Sequence, residues 1–540
     1  MAMQAFLGID LGTSSVKALL LREDGVVLGT CSGEYPILIP SVGCAEQDPS
    51  SWWLAVTGAV RRLLAETGIA TRDIAAVGLS GQMHGMVPLN EAREVVRPAI
   101  IWVDQRAREY VDYVYGVVGK DVFSRITLNP LSPGFQLATL LWMRDHEPQN
   151  YGRLATVILP KDFIRYRLTG TLGTEISDAS STLLFDTTAR RWSTKIIETL
   201  SLDESHFPGL SESLDVVGGV TAAAAEETGL AAGTPVIAGG SDQPMQAIGN
   251  GLTAPGSVSL TTGTGGQLFS VVERPVFNPD LNTHTFCNVL PGTWYVMAAT
   301  LSAGLALSWF SENIAHEESL DTLSAEAAGI PPGSEGAFFL PYLAGERTPH
   351  LDPLARAMFF GLTLKHTRAH MIRAIMEGVA YSYRDCLDVL ENLGIQAHHI
   401  IASGGGARSA LWLQIQTDVL GREIHTTEVK EQASFGAALA AGVGVGVFSD
   451  IPAACAELLR SEERVIHPDP ARSRFYEKCY PIYRDLYLSV RPYGRRIAQL
   501  DPRGDSARET GRARDVGLAQ EIGPKKGAAN EPNADQSRHN

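Results

Sequence analysis

The chain has 540 residues, 44% of them hydrophobic and 19% charged, with a formal net charge of −15. That length exceeds one compact core and sets about two or three domains as the expectation. The acidic balance argues against a nucleic-acid or anionic-membrane surface, since both need clustered Lys and Arg. Residues 6–20 read as strand, Gly-rich turn, strand. A helix is expected over 50–66, where Trp53, Val56, Val60 and Leu63 give an apolar stripe behind Ser50 and Ser51. Short apolar strands follow at 74–79, 99–102, 157–159 and 235–238, ending respectively in Ser80-Gly81, Asp104, Lys161-Asp162 and Gly239-Gly240-Ser241-Asp242. Open α/β sheets place ligands at such polar carboxyl ends of strands.

The second half repeats this grammar. A strand over 257–260 runs into Thr261-Thr262-Gly263-Thr264-Gly265-Gly266 and a second strand over 268–272. Helices are expected near 299–313, 367–391, 408–420 and 433–447, and strands near 337–340, 399–402 and 423–428. Residues 455–490 read as helical and aromatic. Beyond about Arg496 hydropathy collapses, and the composition of 501–540 reads as a disordered tail. The six cysteines form no C-x-x-C pair or zinc spacing and suit a reducing cytoplasm. The N-terminal residues lack signal-peptide regions, and no run approaches the roughly 20 apolar residues of a membrane span. A cytoplasmic protein is the expectation.

Residues 7–20 and 257–272 share one design of strand, G-T turn with small hydroxyl residues, and strand. Two such hairpins suit a triphosphate gripped from both sides: Gly lets backbone approach the phosphates, and turn amides and hydroxyls present donors. Gly12, Thr13, Ser14 and Lys17 supply this in the first half, and Thr262, Gly263, Thr264 and Gly265 in the second. Either loop also reads as an ordinary hairpin turn. Asp10, beside the first loop, makes sense as a ligand of Mg²⁺ carried by the nucleotide, or as a turn cap. Gly404, Gly405, Gly406 and Ser409, between a strand and a helix, read as an adenosine site or a tight turn.

Asp242, after four small residues and before a helix, fits a group that takes a hydroxyl proton, and fits an N-cap as well. Gly81-Gln82-Met83-His84-Gly85 offers a cramped mix of donors and acceptors of the kind a polyol needs. From spacing alone His84 reads as readily as a structural ring. Trp102 and Asp104 add a stacking ring and an acceptor, and Lys161-Asp162 and Ser177-Asp178 are further polar candidates.

Eight stretches, in order, resemble the FGGY family of carbohydrate kinases in its xylulose kinase branch. They are G-I-D-L-G-T-S (8–14), E-Q-D-P (46–49), G-Q-M-H-G (81–85), L-P-K-D (159–162), S-D-A-S (177–180), G-G-S-D-Q (239–243), L-P-Y-L-A-G-E-R-T-P-H (340–350) and G-G-G-A-R-S (404–409). The resemblance implies an α/β, two-domain actin-like (ribonuclease H-like) fold with ATP in the cleft between the lobes. Residues 1–251 would carry the sugar site and first phosphate loop, 252–495 the nucleotide site, and 496–540 a disordered tail. It implies Asp242 as general base, Met83, His84, Asp242 and Gln243 as sugar contacts, ATP and Mg²⁺ as cofactors, and transfer of the γ-phosphate to O5 of D-xylulose. Two departures bear on the sugar: Thr139 stands where the family pattern has Lys, and Gln243-Pro244-Met245 follows the Asp. Another pentulose, a pentitol or glycerol is the alternative substrate. An actin- or chaperone-like ATPase shares the hairpins but has no use for G-Q-M-H-G. The oligomeric state is not fixed by the sequence; a homodimer is the expectation.

Overall fold

The computed structural model describes residues 4–316, 319–427, 429–459 and 464–500. Its first sheet is built from β1 (Ala5–Leu11), β2 (Ser15–Arg22), β3 (Val27–Glu34), β4 (Ile74–Gly81), β5 (Val216–Gly219), β6 (Pro235–Ile237) and β7 (Gly240–Ser241). The spatial order is β5–β6–β4–β1–β2–β3, with β7 also on β4. β1, β2 and β3 form an antiparallel meander, and β4 and β6 continue parallel from β1. The second sheet comprises β8 (Ser257–Thr262), β9 (Gly266–Val272), β10 (His284–Cys287), β11 (Trp294–Thr300), β12 (His399–Ser403), β13 (Ile424–Thr426) and β14 (Val465–Ile466). Its order is β10–β11–β9–β8–β12–β13–β14. Again a meander, β8–β9–β11, is extended by parallel strands β12 and β13 on the far side of its first strand. The two G-T hairpins are therefore topologically equivalent, β1–β2 in one sheet and β8–β9 in the other.

Local chemistry accounts for the main helices. Asp48 caps α1 (Pro49–Thr67), Pro49 fills its first position, and Gly68 ends it at φ 64°. Trp52, Val56, Val60 and Leu63 form its buried face. Near the sites lie α2 (Pro160–Thr169), α3 (Ile176–Ser181), α4 (Asp242–Gly249), α5 (Gly304–Phe310), α6 (Arg368–Asn392), α7 (Ala410–Leu420), α8 (Gln432–Gly444) and α9 (Pro470–Ala498). Helix α8 belongs to the second half of the sequence yet packs on the first sheet. A Cβ on Gly8 would lie 1.8 Å from the Ser434 carbonyl oxygen, and one on Gly78 1.9 Å from that of Ala437. Only glycine lets the helix backbone come this close to β1 and β4.

The expected helix over 299–313 shortens to α5 and a π-helical turn at Ser311–Ala315, because Trp294–Thr300 is a strand. Aromatic and β-branched side chains in Trp294-Tyr295-Val296 favour that strand. Of 99–102 only Ala99–Ile100 is strand, and Trp102 stands in the turn beyond. Helix α9 runs to Ala498, past Arg496, and the expected tail lies outside the described residues from 501 onward.

Candidate active site

The first hairpin turn is closed by the Gly12 N–H donating to the Ser15 carbonyl at 3.0 Å. Its shape is fixed from outside. The fully buried Gln47 donates to the Thr13 carbonyl at 2.7 Å and is itself held by the Trp52 indole and the Gln82 amide. Trp102 donates to the Thr13 hydroxyl at 3.0 Å. Expected as a sugar-stacking ring, Trp102 thus reaches the first hairpin turn. Ser14 is exposed. Lys17 pairs with Glu431, the residue before α8, at 2.6 Å. Asp104 is fully buried, with its oxygens taken by the Ala45 N–H at 2.6 Å and by Arg106, so it organises the 43–47 loop and not a sugar contact.

Asp10 and Asp242 are brought together. Asp10 pairs in register with Ser80 of β4, whose hydroxyl donates to it at 2.7 Å. Ser241 pairs with Gly81 of the same strand, which sets Asp242 at the adjoining strand end. One Asp242 oxygen, Oδ1, is buried without a hydrogen-bond donor among the described residues. Burial, then the charge of Asp10, push the Asp242 carboxyl up to about 7, against the opposing N–H and amide of the half-buried Gln243. Burial also raises Asp10, opposed by the Ser80 hydroxyl and Lys17.

Alongside lies a mixed apolar and polar wall. His84 sits at φ 70°, a conformation a non-glycine residue rarely adopts, and its ring stacks on Phe135 at 3.8 Å. Its Nδ1 faces the Ser181 carbonyl at 2.8 Å. A carbonyl only accepts, so Nδ1 carries the proton and Nε2 is left as an acceptor. Burial first, and Arg347 second, push His84 down to about 4, which keeps the ring neutral. Met83 is buried and takes a long contact from the Tyr295 hydroxyl at 3.6 Å. Thr139 is buried and turns its hydroxyl back onto its own helix at Gln136, 3.1 Å away.

The second hairpin is pinned to the start of α5, where the Ala303 and Leu305 N–H groups reach the Thr264 carbonyl and Gly304 reaches that of Gly263. Gly404, at φ +81°, and Gly406 pack on Thr262: Cβ atoms there would fall 2.6 Å from its carbonyl oxygen and 2.3 Å from its methyl. The 403–406 turn and the second hairpin thus form one unit, while Gly405 faces open space. Ser409 caps α7 through the Trp412 N–H and shares a hydrogen bond with Ser324. Gln246, one turn along α4 from Asp242, reaches Thr261 at 3.5 Å and Gln432 at 3.2 Å, linking α4 to the second hairpin and to α8.

Three contributors carried no assigned role in the sequence. Tyr295 and Glu431 gave no signal. Arg347 lies inside G-E-R-T-P-H; it is exposed, makes no ion pair among the described residues, and depresses both His84 and His284. Its backbone is fixed by Glu346, whose Oε1 accepts the Leu301 and Arg347 N–H groups.

Two family models match the chain: the N-terminal domain of the FGGY family of carbohydrate kinases over residues 5–249, and the C-terminal domain over 258–445. The chain is 35% identical to a xylulose kinase of Bacillus subtilis over 489 residues, 91% of this chain and 98% of that protein. It is 30% identical to an L-xylulose/3-keto-L-gulonate kinase of Escherichia coli, across 92% and 99%. The crystal structure of a xylulose kinase from Rhodospirillum rubrum superposes with a TM-score of 0.85 at 30% identity, over 91% of this chain and all of that one. The two meander-plus-parallel sheets are the two-domain actin-like architecture that the motifs implied. From its hairpins to its paired strand-end aspartates, this chain is a member of the FGGY family of carbohydrate kinases, enzymes that phosphorylate small sugars from ATP.

Proposed function

We propose that the chain transfers the γ-phosphoryl group of ATP to O5 of D-xylulose, with Asp242 as general base. The observation that carries this reading is the half-buried Asp242: its Oδ1 is buried and free of donors among the described residues, and its carboxyl is poised at about 7 and set at a strand end beside Asp10. A base whose pKa lies near working pH combines the right protonation state with useful proton affinity. The sugar hydroxyl oxygen attacks Pγ, the bond from Pγ to the bridging oxygen of ADP breaks, and the hydroxyl proton passes to Asp242. Met83, Gln243 and the Nε2 acceptor of His84 orient the sugar. The Gly12–Ser14 and Thr262–Gly265 turns hold the phosphates from opposite sides, and the Gly404–Gly406 turn takes the adenosine.

Mg²⁺ on the nucleotide neutralises phosphate charge during such transfers. Asp10 fits it: a carboxylate whose burial is opposed by one hydroxyl and a nearby ammonium suits a hard cation. Among the described residues no cluster of three His, Cys, Asp or Glu could hold a metal alone, so in this reading Asp10 would meet the ion only as the nucleotide carries it.

All six cysteines are unpaired, which supports a cytoplasmic setting. A homodimer remains part of the proposal and is read by sedimentation. Coupled ADP release measured over D-xylulose, L-xylulose, ribulose, pentitols, glycerol and sugar acids tests the substrate. D-xylulose is expected to give the highest kcat/KM; a larger value for another sugar replaces it, and ATP turnover undiminished without any sugar would defeat the kinase reading.

A further inference from the structure

Beneath Asp242 lies a fully buried charged cluster that the reaction itself does not use. The Lys161 ammonium reaches the Asp162 carboxylate at 2.8 Å, Asp178 at 3.4 Å and Glu175 at 3.8 Å. It also donates to the Ala238 carbonyl at 3.2 Å, at the start of the segment that ends in Asp242. Burying these charges is costly unless they are paired, so their placement against one turn of backbone asks for an explanation.

The cluster feeds into α3. Glu175 caps this helix, accepting the Ser177 and Asp178 N–H groups and the Ser177 hydroxyl, each at 2.8 Å. The Ser177 oxygen in turn accepts the Ser241 N–H at 3.0 Å, one residue before Asp242. At the other end of the same six-residue helix, the Ser181 carbonyl accepts His84 Nδ1–H at 2.8 Å. One short, fully buried element thus holds the backbone of the base and the ring of the sugar wall.

We propose that Lys161, Glu175 and Ser177 are positioning residues for phosphoryl transfer, fixing Asp242 and His84 to each other through α3. The proposal rests on the reading of Asp242 as base. It follows from geometry: Lys161 holds Ala238, Ser177 holds Ser241, and between them the 238–241 segment has little freedom. A misplacement of about 1 Å in a catalytic group can cost on the order of 100-fold in rate. Asp178 is raised well above the carboxylate range by burial, and Asp242 adds to that rise, so the two acids sense each other across the same helix.

The test is a graded series at Ser177 beside Asp242→Asn, each variant assayed for kcat, both KM values, ATP-analogue binding without sugar, and the pH profile of kcat. Ser177→Ala removes the acceptor of the Ser241 N–H; Ser177→Cys keeps the volume with a weaker acceptor. The expected result is kcat falling about 10- to 100-fold in Ser177→Ala, less in Ser177→Cys, with ATP-analogue affinity within twofold and the acid limb of kcat displaced. Should Ser177→Ala fail to fold, the Cys variant and the charge-balanced Lys161→Met/Asp162→Asn pair carry the same expectation. A kcat within twofold of wild type and an unmoved limb, beside an inactive Asp242→Asn, would overturn the positioning role alone. An Asp242→Asn enzyme with wild-type turnover would remove the base and the positioning role together.

Discussion

The Lys17 ammonium meets the Glu431 carboxylate at 2.6 Å, tying the first hairpin to the residue that precedes α8. The side chains are 43% and 31% exposed, so the pair is worth under about 1 kcal/mol of stability. Its greater effect is on Asp10, which Lys17 lowers and Glu431 raises. Lys17→Met is therefore expected to leave Tm nearly unchanged and to weaken ATP-analogue binding roughly 10-fold, the worth of one charged hydrogen bond. Glu431→Gln, which frees the ammonium and deletes a negative charge, is expected to tighten it. Calorimetric titration of both variants reads the result; equal affinities would show that Lys17 takes no part in nucleotide binding.

The contact of α8 with β1 and β4 is equally testable. Gly78→Ala places a methyl 1.9 Å from the Ala437 carbonyl oxygen, where backbone meets backbone and neither can yield cheaply. A loss of about 1–3 kcal/mol or more is expected in urea unfolding. Gly116→Ala is the control: its Cβ meets nothing within 4 Å, and the change is expected to be neutral or to stabilise by up to about 1 kcal/mol.

Much of this was legible in the chain. Apolar runs ending in Asp, Ser or Gly located Asp10, Asp242 and the 403–406 turn, because strand ends and glycine turns are local properties. The equivalence of the two hairpins was visible for the same reason. Strand β11 was not, since Ala298-Ala299-Thr300 before Leu301 suits either periodicity. The partner of α8 was hidden because Ala437–Ala441 is apolar on every side, and only Gly8 and Gly78 hinted at close approach. Asp104 looked like a pocket acceptor, but strand-end position does not tell whether a carboxylate faces outward or is consumed by Ala45 and Arg106.

His84 offers a spectroscopic check. Burial is the first cause of its depression to about 4, and Arg347 the second. Arg347→Gln is expected to raise the His84 titration while leaving it below the ordinary 6.5, and to raise sugar KM more than ATP KM. Imidazole NMR shifts against pH measure the first effect; an unmoved titration would place Arg347 outside the reach of His84.

The Asp242 carboxyl, raised to about 7, predicts two pH effects of opposite value. Activity is lost as pH falls through this range, because the base becomes protonated. Stability runs the other way. An unfolded Asp ionises near 3.9, so the folded state loses stability from there up to about 7 and carries the full cost above it. Asp242→Asn is thus expected to raise Tm at pH 8, with the gain shrinking towards pH 4. A Tm below wild type at pH 8 would show that the carboxylate is held by favourable partners and is not poised as a base.

The most direct measurement is the turnover of Asp242→Asn with D-xylulose and MgATP, beside its affinity for an ATP analogue. Loss of the proton acceptor is expected to lower kcat about 10²- to 10⁴-fold while analogue affinity stays within a few-fold of wild type. Turnover close to wild type, or nucleotide binding lost in step with activity, would contradict the assignment of Asp242 as the group that takes the sugar proton.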